Sequence, residues 1–288
     1  MANGSAGSSA SVVSTAPAAV RAAVQLGIVR VRRTIEQTNT AALADAYAKM
    51  QARQEGDNRS WMFWAEYHGY DRFDCWHHSS VGSQGFPYDL FLPWHRAFLL
   101  LFERTVITAN SGAVLPWWDW TSAASHASGI PASFKNTASL TSGPVPPALR
   151  TNPPRTRRSS GSPSSLPTAA EIESILRLTS FDDFSTQVQG QHDRVHGWVG
   201  GDMGIVAQSA FDPIFWSHHC MIDRLWYLWQ VRHGVGNLPP SYLNRTLAPF
   251  PLRVKDVLDI RQLGYSYGET RVRMAADAFA ATVLSPTN

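Results

Sequence analysis

Eight of the ten histidines in this 288-residue chain fall into two clusters. His68, His77, His78 and His95 lie within 28 residues, and His192, His196, His218 and His219 within another 28; His126 and His233 stand apart. His192 and His196 are four apart, so on a helix they share one face, one turn from each other. Two imidazoles so placed can hold one metal ion. Alone, such a pair fits a wet helix surface equally well. The adjacent His218-His219 pair argues against that, because it follows Asp212-Pro213-Ile214-Phe215-Trp216-Ser217 and precedes Ile222, Leu225 and Trp226. Histidines in so apolar a setting need partners, and desolvation favours the neutral, ligating ring.

The upstream cluster makes the same offer. His68 ends one expected helix, His95 lies in the first turn of the next, and His77 or His78 comes from the loop between them. Three imidazoles from each half point to two metal ions. Di-iron bundles use Glu-x-x-His motifs, and this sequence has none. Zinc hydrolases usually add a carboxylate or thiolate. All-imidazole sites suit copper, with zinc the main competitor.

Composition bounds the rest. With 44% hydrophobic and 16% charged residues, the chain is globular and has ample core material. A net charge of +3, dispersed along the sequence, gives no footprint for nucleic acid. The one basic cluster, Arg150 to Arg158, sits among Pro and Ser and reads as a solvated loop. Two cysteines make no disulfide framework, and no apolar run reaches the length of a membrane span. Residues 1–20, rich in Ala, Ser and Gly, read as a flexible lead-in without the features of a secretory signal. Localisation stays open.

Start and stop signals place the helices. Asn39-Thr40 offers a cap for a helix to about Arg53. Asp57 to Ser60 caps another, Trp61 to His68, closed by Gly69. Residues 70–92 read as loop, and Pro93 opens a strongly apolar helix to about Asn110. Residues 121–168 read as a long surface excursion without helical period. Asp182 to His196 forms a further helix, and Asp212-Pro213 caps another that runs to His233 and stops at Gly234. The stretch from Val24 to Ile35 is ambiguous. The fold class is mainly α, a four-helix bundle around a dinuclear metal centre with long irregular loops. A domain over residues 21–270 and a short tail, 271–288, complete the division.

Several segments resemble the tyrosinase family of type-3 copper proteins. Phe91-Leu92-Pro93-Trp94-His95-Arg96 and Asp212-Pro213-Ile214-Phe215-Trp216-Ser217-His218-His219 are similar to its two signatures. Leu115-Pro116-Trp117-Trp118-Asp119-Trp120, Trp198-Val199-Gly200-Gly201-Asp202-Met203 and Tyr265-Ser266-Tyr267 resemble further family segments in the same order. The resemblance implies that His68, His77 and His95 hold copper A, that His192, His196 and His219 hold copper B, and that His218 stands beside the metal. The family often places the middle copper A ligand nine residues before the Trp-His-Arg histidine. That position is Phe86 here, so an insertion around residues 79–90 is implied. Cys75-Trp76-His77 fits a Cys-x-His arrangement in which some members link sulfur to the ring. That arrangement favours His77 over His78 and makes a Cys75–His77 thioether an expectation.

By the same resemblance the chain is a phenol oxidase with two copper ions. It would use O2 to turn o-diphenols into o-quinones, with slower hydroxylation of monophenols. A catechol or o-aminophenol oxidase and a haemocyanin-like oxygen carrier are the alternatives. Only 21 residues follow Tyr267, too few for the domain that covers the site in carriers, which favours an enzyme. Phenolic small molecules and O2 are the expected partners, with neither nucleic acid nor membrane; a copper-delivery protein is compatible with a preformed site. Asp193 stands where hydroxylating members often carry Asn, and is expected to orient a water or take the phenolic proton, unless Arg194 or Arg96 holds it. Gly197 adds no side chain to the pocket. Val206 stands where some diphenol oxidases place Phe, so the pocket mouth is expected to be open. Trp117, Trp118, Trp120, Trp226 and Trp229 are expected in the core, and Cys220 as a buried thiol. Arg96 and Asp223 or Arg224 are expected in buried ion pairs that fix the helices, and an Arg from the Arg30 to Arg33 stretch to meet the Tyr pair. Asp119 carries no chemistry, and His126 and His233 are expected at the surface.

Overall fold

The computed structural model describes residues 30–70, 90–236 and 238–268. The expectations for the lead-in, the tail, Cys75, His77, His78 and Phe86 lie outside the described residues. Helix α1, Thr40–Gln51, starts where the Asn39 side chain accepts from the Ala42 amide. The short α2, Trp61–Ala65, is capped by Ser60. The chain then turns through His68 to Gly69, whose φ of 76° is left-handed and suits glycine.

Helix α3, Phe91–Ala109, begins two residues earlier than expected. Pro93 is thus its third residue, still in the first turn, where amides have no helical partner to lose. Helices α3 and α10 (Pro213–His233) are buried almost all round, which suits the middle of a bundle. Asp212 caps α10, Pro213 opens it, and Gly234 at φ 72° stops it, as read from the sequence. Helix α8, Phe181–Val199, is amphipathic. Its buried positions include Phe181, Phe184, Val188, His192, Val195, His196 and Val199, a helical stripe that carries both histidines inward. Helix α1 packs on α3, α3 on α10, and α10 on α8.

The stretch 121–168 is not the surface excursion expected. It holds α4 (Ala123–Ser128), α5 (Ser133–Asn136) and α6 (Ala138–Thr141). Ile130, Phe134, Leu140, Val145 and Leu166 from it are buried in the core. Helices of one or two turns leave no period to read. Helix α7, Ala169–Leu176, follows with a reciprocal Thr168–Glu171 capping box. Two further short helices are α9 (Val206–Ser209) and α11 (Pro240–Leu243).

The Arg150 to Arg158 cluster is likewise not a solvated loop. Arg150 pairs with buried Asp202 at 3.0 Å, and Arg158 Nε donates to both oxygens of buried Asp212 at 3.0 and 2.9 Å. Arg155 donates to Ser142 and Gln51. The acidic partners lie about 50 positions downstream, beyond the reach of local pattern reading.

The ambiguous N-terminal stretch contains strand β1, Arg30–Arg32, parallel to β2, Tyr265–Tyr267, with Arg32 opposite Tyr267. This pairing delivers Arg32 to a buried charge network. Arg32 meets Glu103 at 2.7 Å, Asp223 at 3.2 Å and the Tyr267 hydroxyl at 3.1 Å. Arg96 pairs with the other oxygen of Asp223, and the Tyr265 and Tyr267 hydroxyls donate to Asp223 at 2.7 and 2.6 Å. Two cations and two carboxylates thus balance in the interior. Despite the burial that opposes its charge, Asp223 is held below the usual carboxylate range by Arg96 and Arg32.

The five expected core tryptophans are buried, and so is Cys220, whose thiol pKa burial pushes up. Indole N–H groups also tie elements together: Trp229 donates to the Leu178 carbonyl and Trp118 to Ser125. Asp119 accepts from Thr121, a local turn contact. His126 and His233 are half-buried rather than at the surface, each bonded to a backbone carbonyl, of Pro167 and Leu176. Among the described residues no helix is long and apolar enough to cross a membrane.

Candidate metal centre

Six of the eight clustered histidines are described, and all six converge. His68, His95, His192, His196, His218 and His219 are buried, with exposures between 0% and 9%. Helix α3 presents His95, α8 presents His192 and His196, and α10 presents His218 and His219. His68 arrives on the turn after α2. Two groups result: His192, His196, His218 and His219 in one, and His68, His95 and His219 in the other, each with its ligating atoms within 4.8 Å of one another.

The tautomers follow from the hydrogen bonds. His68 Nδ1 faces the Val206 carbonyl at 3.0 Å, His95 Nδ1 that of Phe91 at 2.8 Å, and His196 Nδ1 that of Met203 at 2.7 Å. His192 Nδ1 faces the Asp193 carboxylate at 2.8 Å. A carbonyl or ionised carboxylate only accepts, so each of these Nδ1 atoms carries the proton and each Nε2 presents a bare lone pair.

Those Nε2 atoms converge on one another and on that of His219. His68 Nε2 lies 3.2 Å from His95 Nε2, and His219 Nε2 lies 3.2 Å from both His192 Nε2 and His196 Nε2. In the His68–His95 pair both Nε2 atoms are bare, and two facing lone pairs at that distance repel unless a cation sits between them. Nitrogens held about 2.0–2.1 Å from one tetrahedral ion stand about 3.3 Å apart. The residues therefore fit a metal centre, and an all-imidazole donor set fits copper.

Electrostatics keeps the site free of protons. Burial, then the neighbouring His95 and His192 rings, hold His219 well below the ordinary histidine pKa. Burial and His196 do the same to His218, while the His192 backbone carbonyl pulls the other way. A neutral ring is the ligating form.

Two aromatic rings pack among the histidines. Phe215 lies 4.1 Å from the His219 ring centre and 4.7 Å from that of His68, and Phe91 lies 4.6 Å from His95 and 4.8 Å from His192. Neither was singled out as a site residue by the sequence, and their place inside both signature segments was the available signal. The Met203 and Val206 carbonyls were missed as well, since a backbone acceptor has no side-chain signature.

Asp193 is exposed and bonded to His192, and neither arginine considered for it holds it. Arg194 pairs with Glu171 of the α7 capping box, and Arg96 with Asp223. Gly197 is exposed on α8, and no atom lies within 4 Å of where its Cβ would be. Val206 is 51% exposed beside Ile205 at 49%, although its carbonyl reaches inward to His68.

The profile described as the common central domain of tyrosinase matches residues 58–146 and 146–232. A tyrosinase from Streptomyces antibioticus is 36% identical over 198 residues, covering 56% of this chain and 72% of that protein. Two solved structures are similar in fold. A functional unit of octopus hemocyanin has a TM-score of 0.69 and 24% identity, covering 83% of this chain and 68% of the other. A tyrosinase from Burkholderia thailandensis has a TM-score of 0.66 and 21% identity, covering 90% and 78%.

Proposed function

This chain belongs to the tyrosinase family of type-3 copper proteins, and on that premise we propose that it oxidises o-diphenols to o-quinones and hydroxylates monophenols more slowly. As a member it is a copper oxidoreductase with a dinuclear copper centre, acting on phenols with O2. The assignment of ligands is part of the proposal: His68 and His95 for copper A, with His77 as the third, and His192, His196 and His219 for copper B. The observation that carries it is the close set of buried Nε2 atoms, with bare lone pairs facing in the His68–His95 pair. His218, which distance alone would also admit as a ligand, is proposed to stand beside the metal on the family resemblance, its ring near-parallel to that of His192 at 16°.

When bound, the two coppers carry electrons from phenol to O2. Two o-diphenols each lose two electrons and two protons, so that one O2 becomes two waters and two o-quinones form. The chain's own residues prepare the site for this. Four Nδ1 hydrogen bonds fix the ring planes and tautomers. Phe91 and Phe215 exclude water around the rings. Val206 and Ile205 give the mouth an apolar edge on which a phenol ring can lie. Copper loading of ligands this deeply buried, as a free ion or from a metal-delivery protein, is part of the proposal.

Asp193 is the residue proposed to distinguish the two substrate classes. Its carboxylate is acceptor-only and exposed, next to a ligand. It can take the phenolic proton that a monophenol must lose, directly or through a water. The test compares both rates in the parent and in Asp193→Ala, with copper content checked in each. The monophenol rate is expected to fall by a larger factor than the diphenol rate. Equal falls would mean that Asp193 acts only by holding His192.

A further inference from the structure

One loop serves both halves of the centre. Residues 200–209 leave α8 directly after the copper B histidines and end before α10. Within this loop the Met203 carbonyl accepts from His196 Nδ1 at 2.7 Å. Three residues on, the Val206 carbonyl accepts from His68 Nδ1 at 3.0 Å, with Ser209 Oγ 3.2 Å from the same nitrogen. His196 and His68 belong to different groups. The loop therefore orients one ring on each side of the centre.

What holds the loop is buried Asp202. Its carboxylate accepts from both Arg150 guanidinium nitrogens, at 3.0 and 3.2 Å, and from the Arg157 amide. The Asp202 amide donates back to the Arg157 carbonyl at 2.9 Å. Ser159 and Gly161 amides donate to the Val199 and Trp198 carbonyls at 3.0 and 2.8 Å. The segment 150–161 thus lies as a strap across the start of the loop. The loop passes beneath it at Gly200 and Gly201, both at positive φ and both too close to the strap backbone for a Cβ.

We infer that the Arg150–Asp202 clamp positions the metal-binding rings of both coppers at once, through the Met203 and Val206 carbonyls. Asp202 and Arg150 are positioning residues, since neither touches a ligand. A partner that orients a ligating histidine is typically worth 10–100-fold in metal affinity. Here one clamp acts on His196 and His68 together, so its loss weakens both sites in step. The inference rests on the dicopper reading, but not on the substrate selectivity proposed above.

The test is competition with a graded chelator, read as metal per chain, on the full chain loaded with copper and separately with cobalt(II), whose optical spectrum reports ligand geometry. Arg150→Ala is expected to lower affinity at least about tenfold at both sites together, with a changed cobalt spectrum. Arg150→Lys, which restores one donor, is expected to recover part of the loss. Asp202→Asn combined with Arg150→Ala is expected to do no further harm than Arg150→Ala alone, because both break one clamp. Arg155→Ala, in the same strap but bonded to Ser142 and Gln51, is expected to bind metal as the parent does, which separates positioning from general loosening. Parent-like affinity and cobalt spectrum in Arg150→Ala would overturn the inference. So would metal loss from one site only, or an equal loss in Arg155→Ala. A parent that binds no pair of metal ions would overturn the dicopper reading instead.

Discussion

The rings of His95 and His219 stack face to face, 4.5 Å between centres and 17° between planes, so the two histidine groups share a wall. His219 Nε2 is within reach of both groups. The residues that follow are locked together: Arg96, next to His95, pairs with Asp223, one turn beyond His219 on α10. The contact of α3 with α10 thereby fixes where His95 and His219 stand relative to each other.

Because His219 lies at the junction, His219→Ala is expected to lose more copper per chain than His218→Ala, and to abolish oxidation. His218→Ala is expected to keep most of its copper with a weakened hold. Metal analysis after gel filtration measures both. Equal loss in the two variants would show that the choice within the pair is wrong.

The α3–α10 lock is expected to matter for stability as well as geometry. Asp223→Ala leaves Arg96 buried without its carboxylate and Arg32 with Glu103 alone. Removing one partner of a buried pair costs about 3–5 kcal/mol. Urea unfolding of the metal-free protein should show a loss of this size. A change below about 1 kcal/mol, the range of an exposed ion pair, would mean that the network is not balanced as described.

Val206→Phe is expected to narrow the mouth while leaving the backbone carbonyl on His68 in place. KM for bulky phenols should rise more than KM for catechol itself, with copper content unchanged. A uniform fall in kcat with unchanged KM values would place Val206 away from the substrate path.

Acid stability offers a test far from the metal. Glu171 has its pKa lowered to about 2 by the Thr168 amide, then the Thr168 hydroxyl and Arg194. Its charged form is favoured in the folded chain, so the stabilisation is complete above about pH 4.5, the unfolded value, and is lost as pH falls toward about 2. Glu171→Gln should lower the melting temperature at pH 7, and the gap from the parent should close across that window. The side chain is 42% exposed, so solvent screens the interaction and the effect is small. A gap that persists unchanged at pH 2 would show that the capping box does not depend on the charge.

The parts of this protein legible in the sequence are those fixed by short-range rules. Asp212-Pro213 and Gly234 delimit α10 by capping chemistry, and the four-residue spacing of His192 and His196 places both on one face of α8. The rest depended on long-range partners. Arg150 to Arg158 read as solvated because Asp202 and Asp212 meet them only in the folded chain. Phe134 and Leu140 looked superficial because α5 and α6 are one turn each. The Met203 and Val206 carbonyls were invisible because every residue type carries one.

Copper content measured alongside catechol-dependent oxygen uptake bears most directly on the dicopper oxidase assignment. Two coppers per chain are expected, with uptake that is lost on chelation and returns with added copper but not with zinc. Tightly held zinc in place of copper, or catechol oxidation that survives complete copper removal, would contradict it.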